Sequence, residues 1–266
     1  LTALFIAHRS ISFGALRKNI PAAVIVAVVI GASGFINFWD VGLLLLLSTG
    51  LVIAGWMASR KAGIKRLVMA ALPMGALWIV GVLIFAPFYF GTAESQVQWP
   101  PLAPVKYGSR PIHFISIWLL LLTVAAPLMI MLANRYTIFV FKRITGKAVE
   151  SRTTQTLYWR PAWITGLVLT VVPWLVWVVT HITFNDNAQA SDIFSRLPVT
   201  GILGAISVIL IAVVLTRARR GAVDGAQFVL ILGALALYLL FAAELFFVHD
   251  LFGNRMNTVF KFYYQA

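Results

Sequence analysis

The chain has 266 residues, of which 61% are hydrophobic and 11% charged, and its mean hydropathy is +0.93. These values exclude an ordinary soluble domain and place the sequence among polytopic membrane proteins. The absence of cysteine excludes a disulfide framework, a thiolate metal site and a cysteine nucleophile. The net charge of +13 raises nucleic acid as a partner, a question that the position of the charges answers.

Apolar runs long enough to cross a bilayer occur at 20–36, 42–59, 67–90, 112–133, 162–182, 197–216 and 226–248. They predict an all-α polytopic membrane fold of about seven complete transmembrane helices, a single transmembrane domain over 1–266. Residues 1–7 read as the tail of an earlier span and 258–266 as the head of a later one. The sequence therefore reads as part of a longer chain, without a signal peptide.

Sixteen of the 21 basic residues fall in the alternate connections 8–19, 60–66, 134–161 and 217–225. Lys106, Arg110, Arg196, Arg255 and Lys261 are the remainder. This split predicts that the first set faces the cytoplasm of a prokaryotic plasma membrane. It explains the charge as topology, makes membrane lipid the expected partner and removes nucleic acid. Six of the eight acids lie toward the other face, where only Glu150 and Asp224 are missing. Orientation does not require that bias, so the outer face is where chemistry is expected.

The first outer turn, GFINFWDV at 34–41, holds Asp40 at the membrane boundary. Asp40 either caps the following span or contributes a carboxylate to an outer pocket. The second, GTAESQVQWPPLAPVKYGSRP at 91–111, is too rich in Pro and Gly to cross lipid and is expected to lie over the outer surface. The third, TFNDNAQASDIFSR at 183–196, gathers Asp186, Asp192, Asn185 and Asn187. It lacks the ordered ligand pattern of a calcium loop, and a solvated loop is the plainer reading. His8, His113, His181 and His249 show no metal-ligand spacing, so no metal site is assigned. Gly201, Gly204 and Ala205 are expected to allow close helix packing.

The fourth outer segment carries most of the polar chemistry. Glu244, His249, Asp250, Arg255, Asn257 and Lys261 crowd one corner, followed by Tyr264. On a helix from 254, Met256, Val259, Phe260 and Tyr263 form an apolar stripe, which leaves Asn257, Lys261 and Tyr264 on a second face. Arg255 and Lys261 would then lie about 9 Å apart along the axis. As interface anchors they would snorkel toward headgroups; as binding groups they would face a polar interior. The density of ionisable groups favours a pocket.

The run ELFFVHDLFGNRMNTVFKFYYQA, residues 244–266, resembles the signature of the YYY family of archaeal and Chloroflexi membrane proteins. GFINFWD at 34–40 and FAPFYF at 85–90 are similar to two further stretches of that family, whereas its tyrosine-rich segment is absent here. The family is similar in architecture to the GT-C class of lipid-dependent glycosyltransferases. The resemblance implies a glycosyltransferase-like membrane enzyme that takes a sugar from a polyprenyl-phosphate-linked donor on the outer face. Asp40 and Asp250 are then the candidate catalytic carboxylates. Glu244, His249, Arg255, Asn257, Lys261 and Tyr264 are the candidate substrate-binding residues, and a divalent cation is a further way to offset phosphate charge. A secondary transporter or a noncatalytic assembly subunit are the alternatives, and the lack of an internal repeat speaks against the transporter.

Overall fold

Lipid offers a backbone no hydrogen-bonding partner, so apolar runs of this length fold as helices. The computed structural model describes residues 12–36, 40–57, 63–91, 102–144, 160–185, 189–221, 224–248 and 258–259, with backbone alone at 133–144 and 184. In chain order the elements are α1 (Phe13–Lys18), α2 (Ile20–Ile36), α3 (Asp40–Met57), α4 (Ile64–Ile84), α5 (Ala86–Gly91) and β1 (Leu102–Pro104). There follow α6 (Pro111–Ile144), α7 (Arg160–Phe184), α8 (Ala190–Arg219), α9 (Gly225–Leu245) and β2 (Phe246–Val248). Six of these helices are long and apolar enough to cross a membrane, and α2 adds a shorter apolar helix of 17 residues. The protein is an all-α polytopic membrane protein.

The predicted spans coincide with helices, with two physical corrections. The run 67–90 breaks at Phe85, two residues before Pro87, which has no N–H to donate to the preceding turn. The run 226–248 stops being helical at Leu245, and its last three residues become a strand.

The chain divides into two compact units. Unit 1 comprises residues 1–101, 217–232 and 249–254, and unit 2 comprises 102–216, 233–248 and 255–266. In unit 1, Val26, Ala27 and Ile30 of α2 pack on Met74 and Leu77 of α4. Gly31 and Gly81 let these two helices touch backbone to backbone: a Cβ on Gly81 would sit 2.6 Å from the Ala27 carbonyl oxygen. Tyr89 of α5 donates to the Gly31 carbonyl at 3.1 Å, and Trp78 to Ser48 at 3.2 Å. At the start of α9, Asp224 accepts from the Gln227 N–H at 2.7 Å and pairs with Arg217 at 3.2 Å. That carboxylate both caps the helix and neutralises a buried cation.

Unit 2 is built on Trp118 of α6, Trp177 of α7, Val199 and Leu203 of α8, and Leu240, Phe241 and Leu245 of α9. Gly166 brings α7 against α8, where its Cβ would meet the Val208 carbonyl oxygen at 3.0 Å. Gly201, expected at such a contact, instead faces open space, and a Cβ on Gly204 would reach the Phe241 ring at 3.5 Å, an ordinary contact. Hydroxyls within the helices return to their own backbone: Thr170 donates to Gly166, Thr180 to Val176 and Thr200 to Arg196. Each thereby avoids exposing an unpaired donor to lipid.

Candidate functional site

At one end of unit 2 the helical ladder gives way to a strand pair. β1 and β2 run antiparallel, with Leu102 opposite Val248, Ala103 opposite Phe247 and Pro104 opposite Phe246. The Val105 N–H extends the pairing to the Leu245 carbonyl at 2.8 Å. Within 102–110, Leu102, Lys106, Tyr107 and Arg110 are exposed. The segment is paired into the protein, and Val105 is buried.

Arg196 of α8 fastens this arrangement. It is 4% exposed, and its Nη1 and Nη2 donate to the carbonyls of Glu244 and Val105, each at 2.8 Å. The guanidinium lies 4.3 Å from the Trp177 ring centroid, and the indole N–H donates to the same Val105 oxygen at 3.1 Å. Both lone pairs of that carbonyl are therefore used. A planar fork with two diverging donors suits such a clamp, which a lysine could not reproduce. Gly108 lies so close to Arg196 that a Cβ would come within 3.2 Å of its Cγ.

The other face of the network is acidic. The Glu244 carboxylate is buried and accepts from the Ser109 backbone N–H at 2.9 Å and from the Ser109 hydroxyl at 2.7 Å. Below Trp177, His181 stacks on the indole at 5.0 Å, and its Nε2 lies 3.4 Å from Asp192 Oδ2. Asp192 also accepts from the Gln189 N–H at 3.0 Å, so it caps the first turn of α8. Trp177 and His181 are one turn apart on α7, as are Asp192 and Arg196 on α8. The two pairs face each other across the 185–189 connection.

This platform leads directly into the polar segment. Val248, the last residue of β2, donates its N–H to Thr258 Oγ1 at 2.9 Å, and Thr258 is buried. Of the candidate site residues, Glu244 joins the network above, and Asp40 is the half-buried first residue of α3 in unit 1. His249, Asp250, Arg255, Asn257, Lys261 and Tyr264 lie outside the described residues, as do Asp186 and Asn187. Among the described residues no three His, Asp or Glu side chains converge where a metal ion could sit. Arg196, Ser109 and the Trp177–His181 pair are the parts that sequence reasoning missed. The spacings W-x-x-x-H and D-x-x-x-R, one turn each on successive helices, are the signal that would have found them.

Glu244 can be tested by a substitution that keeps its shape. In Glu244→Gln the Ser109 hydroxyl can reverse and accept from the amide, so both contacts survive and stability should change by less than about 1 kcal/mol. Glu244→Ala strands the Ser109 donors and should cost about 2 kcal/mol in denaturant unfolding. A Gln variant as unstable as the Ala variant would show that the charge itself holds the segment.

Residues 2–266 match the model of a family described as uncharacterized membrane protein (DUF2298). No curated protein and no solved structure matches the chain.

Proposed function

The chain belongs to the DUF2298 family of uncharacterized membrane proteins, and from the chemistry of its own residues we propose that it is glycosyltransferase-like, taking a sugar from a polyprenyl-phosphate carrier at the outer face of a prokaryotic plasma membrane. One observation carries this reading: the polar residues His249, Asp250, Arg255 and Asn257 fall in sequence between Val248 and Thr258, two described residues that a buried hydrogen bond joins. A site that stabilises charge on a departing phosphate needs its donors held in place before reaction, and a rigid base supplies that. The resemblance of 244–266 to the YYY signature, and through it to the GT-C architecture, is the second support.

In this reading the acceptor hydroxyl attacks the sugar C1, the C1–O bond to phosphate breaks, and the carrier phosphate leaves with the bonding electrons. Asp40 or Asp250 takes the hydroxyl proton. Arg255 and Lys261 face the phosphate oxygens, Arg255 as a bidentate fork and Lys261 as a compact charge. His249, Asn257 and Tyr264 bind the substrate, and Glu244 serves it indirectly by holding Ser109.

The test is a titration of the purified protein with a polyprenyl-phosphate sugar. Arg255→Lys and Lys261→Met should each weaken binding about tenfold or more, as expected for loss of a hydrogen bond between charged groups. Their melting temperatures should stay close to wild type. Wild-type affinity in both variants would remove the phosphate assignment.

A further inference from the structure

An apolar groove runs along α4 in unit 1, beneath α1. Phe13 of α1 forms one wall, and Val68, Leu72, Gly75, Ala76 and Ile79 of α4 form the rest. These α4 positions recur at helical spacing on one face, so the groove is about 16 Å long at 1.5 Å per residue. That is about the depth of one leaflet, half of a hydrocarbon core roughly 30 Å thick. Its floor is open at Gly75, where a Cβ would meet no atom within 4 Å.

The two helices that line the groove also carry basic residues. Lys65 precedes Val68 by three residues and Leu72 by seven, which puts it on the groove's face of α4. Arg17 follows Phe13 by four residues on α1, and so shares that side of its helix. Both are exposed, as are their neighbours Lys18 and Arg66. Among the described residues none of the four pairs with a carboxylate.

We propose that this groove binds one anionic phospholipid, with an acyl chain along α4 and the phosphate at Arg17 and Lys65. The two halves of the feature demand the same ligand. A free anion would leave a leaflet-deep apolar stripe unfilled, and an uncharged lipid would leave the cations without counter-charge. An anionic lipid satisfies both, and the site is independent of the sugar-transfer reading.

The experiment uses the purified protein, stripped of lipid in a neutral detergent. It is titrated with phosphatidylglycerol and with phosphatidylcholine of the same chains while native mass spectrometry counts retained lipid. Each cation beside an anionic headgroup contributes about fivefold, so wild type should prefer phosphatidylglycerol by about tenfold or more. At Gly75 a Cβ meets no atom within 4 Å, so Gly75→Leu places its bulk in the groove and should abolish retention without lowering lipid-free melting. Arg17→Gln combined with Lys65→Gln changes only exposed side chains and should bring the two lipids to equal affinity. That double variant decides the matter even where Gly75→Leu does not fold. Equal affinity in wild type, an unchanged preference in the double variant, or full retention by a folded Gly75→Leu would each overturn the proposal.

Discussion

Arg196→Met will destabilise unit 2 by about 2–3 kcal/mol, the cost of taking charged donors away from buried carbonyls. Methionine fills a similar volume, so the loss is not one of packing. It removes two donors from the Val105 and Glu244 carbonyls and the cation from the Trp177 face. The indole N–H still serves Val105, but the Glu244 carbonyl loses the arginine. Arg196→Lys should fall between, because an ammonium on a flexible stem cannot reach both oxygens with the geometry of a fork. The readout is denaturant unfolding in detergent combined with brief trypsin treatment. Lys106 sits on the segment that the clamp holds, and cleavage after it requires local unfolding of its backbone. A methionine variant that unfolds within 1 kcal/mol of wild type and resists trypsin would show that segment 102–110 is held by its strand pairing alone.

Gly81→Ala should cost about 3 kcal/mol, at the upper end for an added methyl group in a packed interior. The new carbon would lie 2.6 Å from the Ala27 carbonyl oxygen and 3.0 Å from the Gly31 nitrogen. Both are backbone atoms, so no side chain can turn aside and the helices must separate. Separation loosens Val26, Ile30, Met74 and Leu77 together. Gly31→Ala meets the Gly81 carbonyl and the Phe85 ring and should behave alike. Gly75→Ala, on the same helix but facing open space, is the control: it should be neutral or stabilise by up to about 1 kcal/mol through helix propensity. Equal melting temperatures for Gly81→Ala and Gly75→Ala would contradict the close approach of α2 and α4.

The helices were legible because a span needs some twenty apolar residues, a demand no single contact can override. Interhelical contacts were not, because small residues are frequent in every span. Gly201, Gly204 and Ala205 look as suitable for packing as Ala27 and Gly31, and only the partner helix tells them apart. Glu244 stood out in the sequence as a carboxylate in an apolar run. Its partner Ser109 lies far away in a Pro-rich stretch, and half of its bond is to backbone, which no residue type encodes. Arg196 was counted as a loop charge, since its acceptors are carbonyls that any sequence possesses. Phe246 to Val248 continue an apolar stretch from Leu245, so no turn residue announces the change from helix to strand.

That change bears on how the protein is made. β1 and β2 lie roughly 150 residues apart, a long-range closure that is slow compared with local helix formation. A ribosome delivers β1 before α6 to α9, so its unpaired edge must wait through the synthesis of four helices until β2 emerges. Throughout that interval β1 is an open strand edge, the kind of surface that pairs with strangers. Pro104 in the middle of this short edge offers no N–H to an intruder, while its carbonyl stays available for the proper partner. The strand pair therefore closes late: a nascent chain that ends before Phe246 would already hold α1 to α9 and yet leave β1 unpaired.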